Sequence, residues 1–249
     1  MSKIEFKAES KRLLDMMINS IYTHKEIFLR EIISNASDAC DKLCYQALTD
    51  DSVGMSRKDF KIEIKADKDS RTLTVSDNGI GMDKADLENN LGVIASSGSL
   101  KFRQKVEGDE SADTDIIGQF GVGFYSAFMV ADSITVRTKK YGEEQAYEWQ
   151  SSGADGYTVA ECEKGSVGTD VIMHLKADTD EEKYSEYRDG YRLYELVKKY
   201  SDYIRYPIRM LRPTRRVKEG SDPEKPEYEY VDEMTTVNSM VPLWQRPRG

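Results

Sequence analysis

Four short segments of this 249-residue chain carry residue types suited to holding a charged or flat ligand. The first is a stripe of Glu31, Asn35, Asp38 and Lys42. Their spacings of four, three and four residues align them along one side of a helix. Beside the stripe, Phe28, Ile32, Ile33, Ala36, Ala39, Cys40 and Leu43 form an apolar arc, and Arg30, Ser34 and Asp41 fall opposite that arc. Two readings of the stripe stay open. It is a solvated charged face, or it looks into a crevice beside the core. The second segment is Asp77-Asn78-Gly79-Ile80-Gly81-Met82, where an acidic residue ends an apolar strand and two glycines follow. Glycines there let backbone approach a flat ligand, and the carboxylate can accept a hydrogen bond from an amino group; an ordinary Asn-Gly turn is the competing explanation. The third, Ile117-Gly118-Gln119-Phe120-Gly121-Val122-Gly123-Phe124-Tyr125-Ser126, sets three glycines before a helix whose free N–H groups can hold phosphate. A flexible hinge explains the glycines equally well. The chain holds no Gly-Lys-Ser/Thr phosphate loop, and these glycines do not fit the dinucleotide fingerprint. The fourth is Thr169, at the head of a strand in which Val171, Met173 and Leu175 alternate.

The elements that must position these residues follow from periodicity. Lys3-Ile4-Glu5-Phe6-Lys7 alternates as a short strand, and Leu13, Leu14, Met17, Ile18 and Ile21 recur at helical spacing. A second helix spans residues 24–48. Phe60-Lys61-Ile62-Glu63-Ile64-Lys65 and Leu73-Thr74-Val75 flank a polar turn and form a hairpin. A short helix through Leu87 and Leu91 comes next, then residues 95–123, whose Ser, Gly, Asp and Glu content fits a mobile lid. A hydrophobic helix opens at Phe124. Further strands are expected around residues 134–136, 146–149, 157–159 and 169–175, then a helix with Leu193, Leu196 and Val197, and a terminal Tyr206-Pro207-Ile208 segment. Helices and hairpins are segregated, so the fold class is α+β. Residues 1–212 form the domain, 213–240 a charged linker, and 241–249, with Pro242-Leu243-Trp244, the start of a further domain.

Composition narrows the functional classes. A net charge of −9 without a dense Lys/Arg run argues against a broad nucleic-acid surface. An acidic protein that binds a polyphosphate must supply backbone dipoles and a metal locally. No apolar stretch is long enough for a membrane span, and Met1-Ser2-Lys3-Ile4-Glu5 lacks the apolar core of a signal peptide. Cys40, Cys44 and Cys162 are too irregular for a disulfide scaffold or a zinc site. A reduced, cytoplasmic protein is expected.

Together the motifs closely resemble the signature segments of the ninety-kilodalton heat-shock chaperones. The likeness runs through Phe28-Leu29-Arg30-Glu31-Ile32-Ile33-Ser34-Asn35-Ala36-Ser37-Asp38-Ala39, then the Asp77 to Met82 segment, then residues 118–126 and Tyr206-Pro207-Ile208, in the family's order and separation. It covers about residues 6–210, and the short linker resembles the bacterial type. The resemblance implies a two-layer sandwich of a mostly antiparallel mixed sheet covered on one face by helices, the fold shared with gyrase, mismatch-repair and histidine-kinase ATPases. It implies ATP and ADP as ligands with Mg²⁺. Glu31 would be the base that activates water, and Asn35 would hold the magnesium. Asp77 would take the adenine amino group, and Thr169 a water. Asp38, Lys42, Gly81, Met82, Asn90, Gly118, Gly121, Val122, Gly123 and Phe124 would complete the nucleotide site. The implied partners are a middle domain, a second copy in a homodimer, and client proteins, with no nucleic acid or membrane. The implied activity is slow ATP hydrolysis coupled to lid closure and N-terminal dimerisation.

One departure stands out. The family usually has Ala-Lys-Ser-Gly where this chain has Ala95-Ser96-Ser97-Gly98, so a lid lysine is missing at Ser96, with Lys101 nearby. A histidine kinase would need an acceptor histidine, and neither His24 nor His174 sits in a recognisable acceptor helix. A gyrase would be expected to carry a DNA-handling domain. A nucleotide sensor that never hydrolyses would have no need of Glu31.

Overall fold

A computed structural model describes residues 3–6, 14–15, 25–92, 123–153, 155–221 and 225–241. Helix α1 (Ile27–Gln46) buries the expected apolar arc, with Phe28, Ile33 and Cys40 fully enclosed. Each large aliphatic side chain withdrawn from water here contributes about 1.5–3 kcal/mol. The hairpin of β1 (Ile62–Asp67) and β2 (Thr72–Asp77) follows, its inward residues Ile62, Ile64, Leu73 and Val75 alternating with polar outward ones. Asp67 makes the turn, accepting the N–H groups of Asp69 and Ser70 at 2.9 and 3.1 Å.

Helix α2 (Lys84–Leu91) is started by a reciprocal cap, in which Asp83 accepts the Asp86 N–H and Asp86 the Asp83 N–H. The segment expected to open a hydrophobic helix at Phe124 is a 3-10 turn, Gly123–Met129, buried at every residue. It lies against α1 on one side and leads into β3 (Ala131–Lys139) on the other. Ser126 Oγ donates to the Gly123 carbonyl at 2.5 Å, which satisfies the tight first turn. Strands β4 (Ala146–Ser151), β5 (Tyr157–Cys162) and β6 (Gly168–Leu175), helix α3 (Gly190–Tyr200), and strands β7 (Ile208–Val217) and β8 (Tyr228–Thr236) complete the elements used below.

The strands form one eight-stranded sheet in the order β5-β4-β3-β6-β2-β1-β7-β8. Every pairing is antiparallel except β1 with β7. The fold class is thus α+β, and the core lies between the helices and the inward face of this sheet. Ile4 extends the β5 edge through two backbone hydrogen bonds to Tyr157, at 2.8 and 2.9 Å. Most of the first helix expected from periodicity, and residues 95–122 of the expected lid, lie outside the described residues.

Within the stretch 213–240, read from composition as a charged linker, residues 213–217 and 228–236 are strand. β1 pairs only with residues 208–210 of β7, and from there to Val217 the partner is β8 alone. This ribbon is held by its own cross-strand contacts, among them Arg215 over the Tyr228 ring at 3.7 Å and Lys218 on Glu227 at 3.2 Å. Its polar composition reflects the absence of a core on either face. Beyond β8 the chain docks again. Asn238, 6% exposed, accepts the Ile208 N–H at 2.8 Å and donates to the Ile204 and Tyr206 carbonyls at 2.9 and 3.0 Å.

Candidate nucleotide site

Between α1, α2 and the inward face of β2, β3 and β6 lies a cavity of about 460 Å³. The structure brings Glu31, Asn35, Asp38, Lys42, Asp77, Gly81, Met82, Asn90, Gly123, Phe124 and Thr169 to its wall. Gly118, Gly121 and Val122 lie outside the described residues, as do Ser96 and Lys101. Of the two readings of the α1 stripe, the crevice one describes the geometry: Asn35, Asp38 and Lys42 are exposed into the cavity mouth, while Glu31 is 7% exposed at its floor. The positions expected to be solvated are instead half-buried. Asp41 accepts the Tyr206 hydroxyl at 2.6 Å, and Arg30 turns back onto Glu31.

Glu31 sits in a crowded setting. Arg30 Nε and Nη2 donate to Oε1 at 2.9 and 2.8 Å. The other oxygen faces Gly123, where an added Cβ would stand 2.5 Å from Oε2. A side chain at position 123 would push this carboxylate aside, so the glycine serves packing against Glu31 as well as any hinge.

Asp77 closes β2 at the far end of the cavity. Its carboxyl accepts the N–H of Gly79 at 2.8 Å and the backbone N–H of Thr169, its register partner on β6. Burial outweighs these two bonds and pushes Asp77 up to about 7. The loop after it docks on both neighbours. Ile80 N–H reaches the Ala39 carbonyl of α1 at 3.0 Å, and Tyr141 N–H reaches the Ile80 carbonyl at 2.8 Å. Gly81, with φ of 68°, lies against the Lys139 carbonyl where any Cβ would collide. The sequence suggested that these glycines admit a flat ligand; Gly81 is also required by the contact between its loop and the end of β3.

At the mouth, burial and then Asp41 hold Asp38 above the usual carboxylate range, with Lys42 opposing them. Phe124 forms part of the wall and meets Trp149 edge to face at 5.6 Å, with Tyr157 stacked behind Trp149 at 5.8 Å. Among the wall residues that escaped the sequence reading, two are charged, Asp86 and Lys140. Lys140 Nζ bonds Asp83 at 2.6 Å and Asp86 at 2.7 Å, which ties the end of β3 to the cap of α2. Those hydrogen bonds raise the lysine's pKa, and the one to Asp83 lowers that carboxylate's. Nothing in the sequence connects the Asp83-x-x-Asp86 cap with Lys140.

The comparisons with known proteins agree with this geometry. Residues 22–167 match the family described as histidine kinase-, DNA gyrase B-, and HSP90-like ATPase. The whole chain is 59% identical to the chaperone protein HtpG of Bacillus subtilis. It is 58% identical to those of Clostridium perfringens and Halalkalibacterium halodurans. In each case it spans 39% of the relative's length. With a match over more than half of its residues and a cavity where that family's segments converge, the chain belongs to the histidine kinase-, DNA gyrase B-, and HSP90-like ATPases.

Proposed function

We propose that the cavity binds ATP and ADP, and that the chain is the slowly ATP-hydrolysing N-terminal region of a bacterial-type ninety-kilodalton heat-shock chaperone. The observation that carries this reading is the placement of two carboxylates on the wall of one cavity, Glu31 and, beside Ala39 about two turns further along α1, Asp77. Glu31 is at the floor beside Gly123, and Asp77 lies at the end of β2 with Thr169. Adenine fits the Asp77 end, where its amino group donates to the carboxylate and Thr169 holds a water. The sugar and phosphates then run past Asn90 and Met82 towards Gly123 and Phe124, with Asp38 and Lys42 at the mouth. That direction sets the γ-phosphate near Glu31, which takes a proton from the attacking water. Arg30, on the same carboxylate, holds it in one orientation and competes for its lone pairs, in keeping with slow turnover.

No group of three or more His, Cys, Asp or Glu able to hold a metal exists among the described residues. Asn35 offers one neutral oxygen, which fits Mg²⁺ arriving with the phosphates and does not make a site of its own. When bound, the ion would neutralise part of the phosphate charge. Residues 1–212 carry the nucleotide site in this reading, and residues 241–249 begin a middle domain. Lid closure, pairing of two copies and action on client proteins belong to the longer protein. No helix among the described residues is long and apolar enough to cross a membrane, and the cytoplasm is the proposed location.

Titration with fluorescent ATP, with and without Mg²⁺, tests the reading together with phosphate release. Saturable binding displaced by ATP and ADP, with slow release of phosphate, is expected. A chain that binds no nucleotide refutes it, and binding without any release reduces it to a sensor.

A further inference from the structure

Behind the cavity wall, and not part of it, lies Thr138. It is fully buried in β3 and sits opposite Thr169 of β6 in the sheet register. Its hydroxyl has three neighbours. The Met82 N–H donates to Thr138 Oγ1 at 2.9 Å, the Gly168 carbonyl lies 3.3 Å away as an acceptor, and Thr169 Oγ1 lies at 2.9 Å with either hydroxyl able to donate. A hydroxyl has one proton and two lone pairs. If Thr138 gives its proton to Gly168, its oxygen accepts from both Met82 and Thr169, and all three contacts are made. If Thr138 gives its proton to Thr169 instead, the Gly168 contact is lost. In a buried site the arrangement that satisfies more groups prevails. The proton of Thr169 then points backwards to Thr138, and towards the cavity Thr169 offers only lone pairs. Its own backbone N–H is already committed to Asp77.

We propose that Thr138 is a positioning residue for base selectivity: it fixes Thr169 as a hydrogen-bond acceptor, so that the base end of the cavity, with ionised Asp77 beside it, presents acceptors only and disfavours a purine carrying a carbonyl at its six-position. This rests on the nucleotide reading above and adds to it which partner sets the polarity of the wall. Without the Thr138 hydroxyl, Thr169 has no acceptor behind it. It turns to donate into the cavity, where a six-carbonyl, directly or through one water, can receive that proton.

The test compares ATP with inosine triphosphate, which has a carbonyl in place of the amino group at that position and, with it, a proton on N1, by competition against fluorescent ATP. It uses the parent, Thr138→Val, Thr138→Ser and Thr169→Val. The parent prefers ATP. Thr138→Val narrows the ATP-to-inosine ratio about tenfold, the value of one hydrogen bond of matched polarity. Thr138→Ser restores the ratio to within about threefold of the parent, and Thr169→Val narrows it as Thr138→Val does. A purely structural role, acting through the Met82 loop, weakens both nucleotides in parallel and leaves the ratio unchanged. That result, or an unchanged ratio in Thr169→Val, overturns the inference even if Thr138→Val does not fold. A parent that binds no ATP overturns the nucleotide reading and this inference with it, whereas ATP binding with a constant ratio overturns this inference alone.

Discussion

Two carboxylates in one cavity live in opposite settings, and each setting yields a prediction. Glu31 is held by a guanidinium and hemmed in by Gly123. In the proposed role it touches water rather than nucleotide, so Glu31→Ala should leave ATP affinity within about threefold and lower phosphate release about a hundredfold. Steady-state release alongside a binding titration checks this, and an unaltered rate removes Glu31 from the chemistry. Asp77 has lost water, and its two backbone hydrogen bonds and the lesser pull of Lys164 do not offset that loss, which is why its pKa is pushed up to about 7. Its folded value lies above the unfolded one. The folded state therefore retains a proton that the unfolded chain has released, and this contribution to stability is complete below about pH 4 and fades as pH rises to about 7. Asp77→Asn removes the cost of the buried charge. The variant should be more stable than the parent by about 1–3 kcal/mol at pH 8 and equal to it near pH 4, as measured by urea unfolding at both. An amino donor from adenine favours the charged form, so ATP affinity of the parent should strengthen between pH 6 and 8. A pH-independent difference between the two proteins would contradict the assignment.

At the scale of elements, the cavity is made by docking contacts that lie outside it. The loop after β2 is tied to α1 through Ile80 and to β3 through Tyr141, Met82 and Gly81. Lys140 fastens the start of α2 to the same strand end. The far side of the sheet is closed by Asn238, whose side chain completes three backbone groups around the start of β7. Asn238→Ala leaves a buried N–H and two carbonyls short of partners. It should cost about 2–4 kcal/mol in thermal or urea unfolding. A change below about 0.5 kcal/mol would mean that the chain after β8 is not held against the domain.

For the whole molecule, a net charge of −9 sets a problem for any polyphosphate ligand, and among the described residues the cavity wall adds to it, with Glu31, Asp38, Asp77 and Asp86 against Lys42 and Lys140. A ligand that binds only the folded state stabilises it by mass action. ATP with Mg²⁺ at a hundred times its dissociation constant should add about 2.7 kcal/mol, which raises the melting temperature of a chain of this size by about 5–10 °C. Mg²⁺ alone should shift it little, because the described residues hold no cluster of metal ligands. Calorimetric scans with the ion, the nucleotide and both together distinguish these outcomes. A large shift from the ion alone would reveal a metal site that the nucleotide does not bring.

What the sequence determined by itself was local. The 3.6-residue period of α1 and the alternation of β1, β2 and β6 follow from short-range spacing and sufficed for the fold class, whereas the residues of the cavity wall were named through the resemblance that the ordered motif segments carry. Periodicity could not choose between a solvated α1 stripe and a buried one, because that depends on β2 and β6 lying across from it, and Thr72, where β2 begins, is 30 residues beyond Lys42. Composition did not show the β7–β8 ribbon within residues 213–240, since a ribbon held by cross-strand charge and cation–π contacts has the same residue content as a linker without strands. Lys140 and Thr138 were invisible for a related reason. One is a lysine at a strand end and the other a threonine within a strand, both ordinary in sequence. Their significance arises only when β3 is laid beside β6 and the loop after β2 folds onto its end. A hydroxyl's partners and a cation's partners are settled by proximity in space, and that is decided by the packing of the whole sheet.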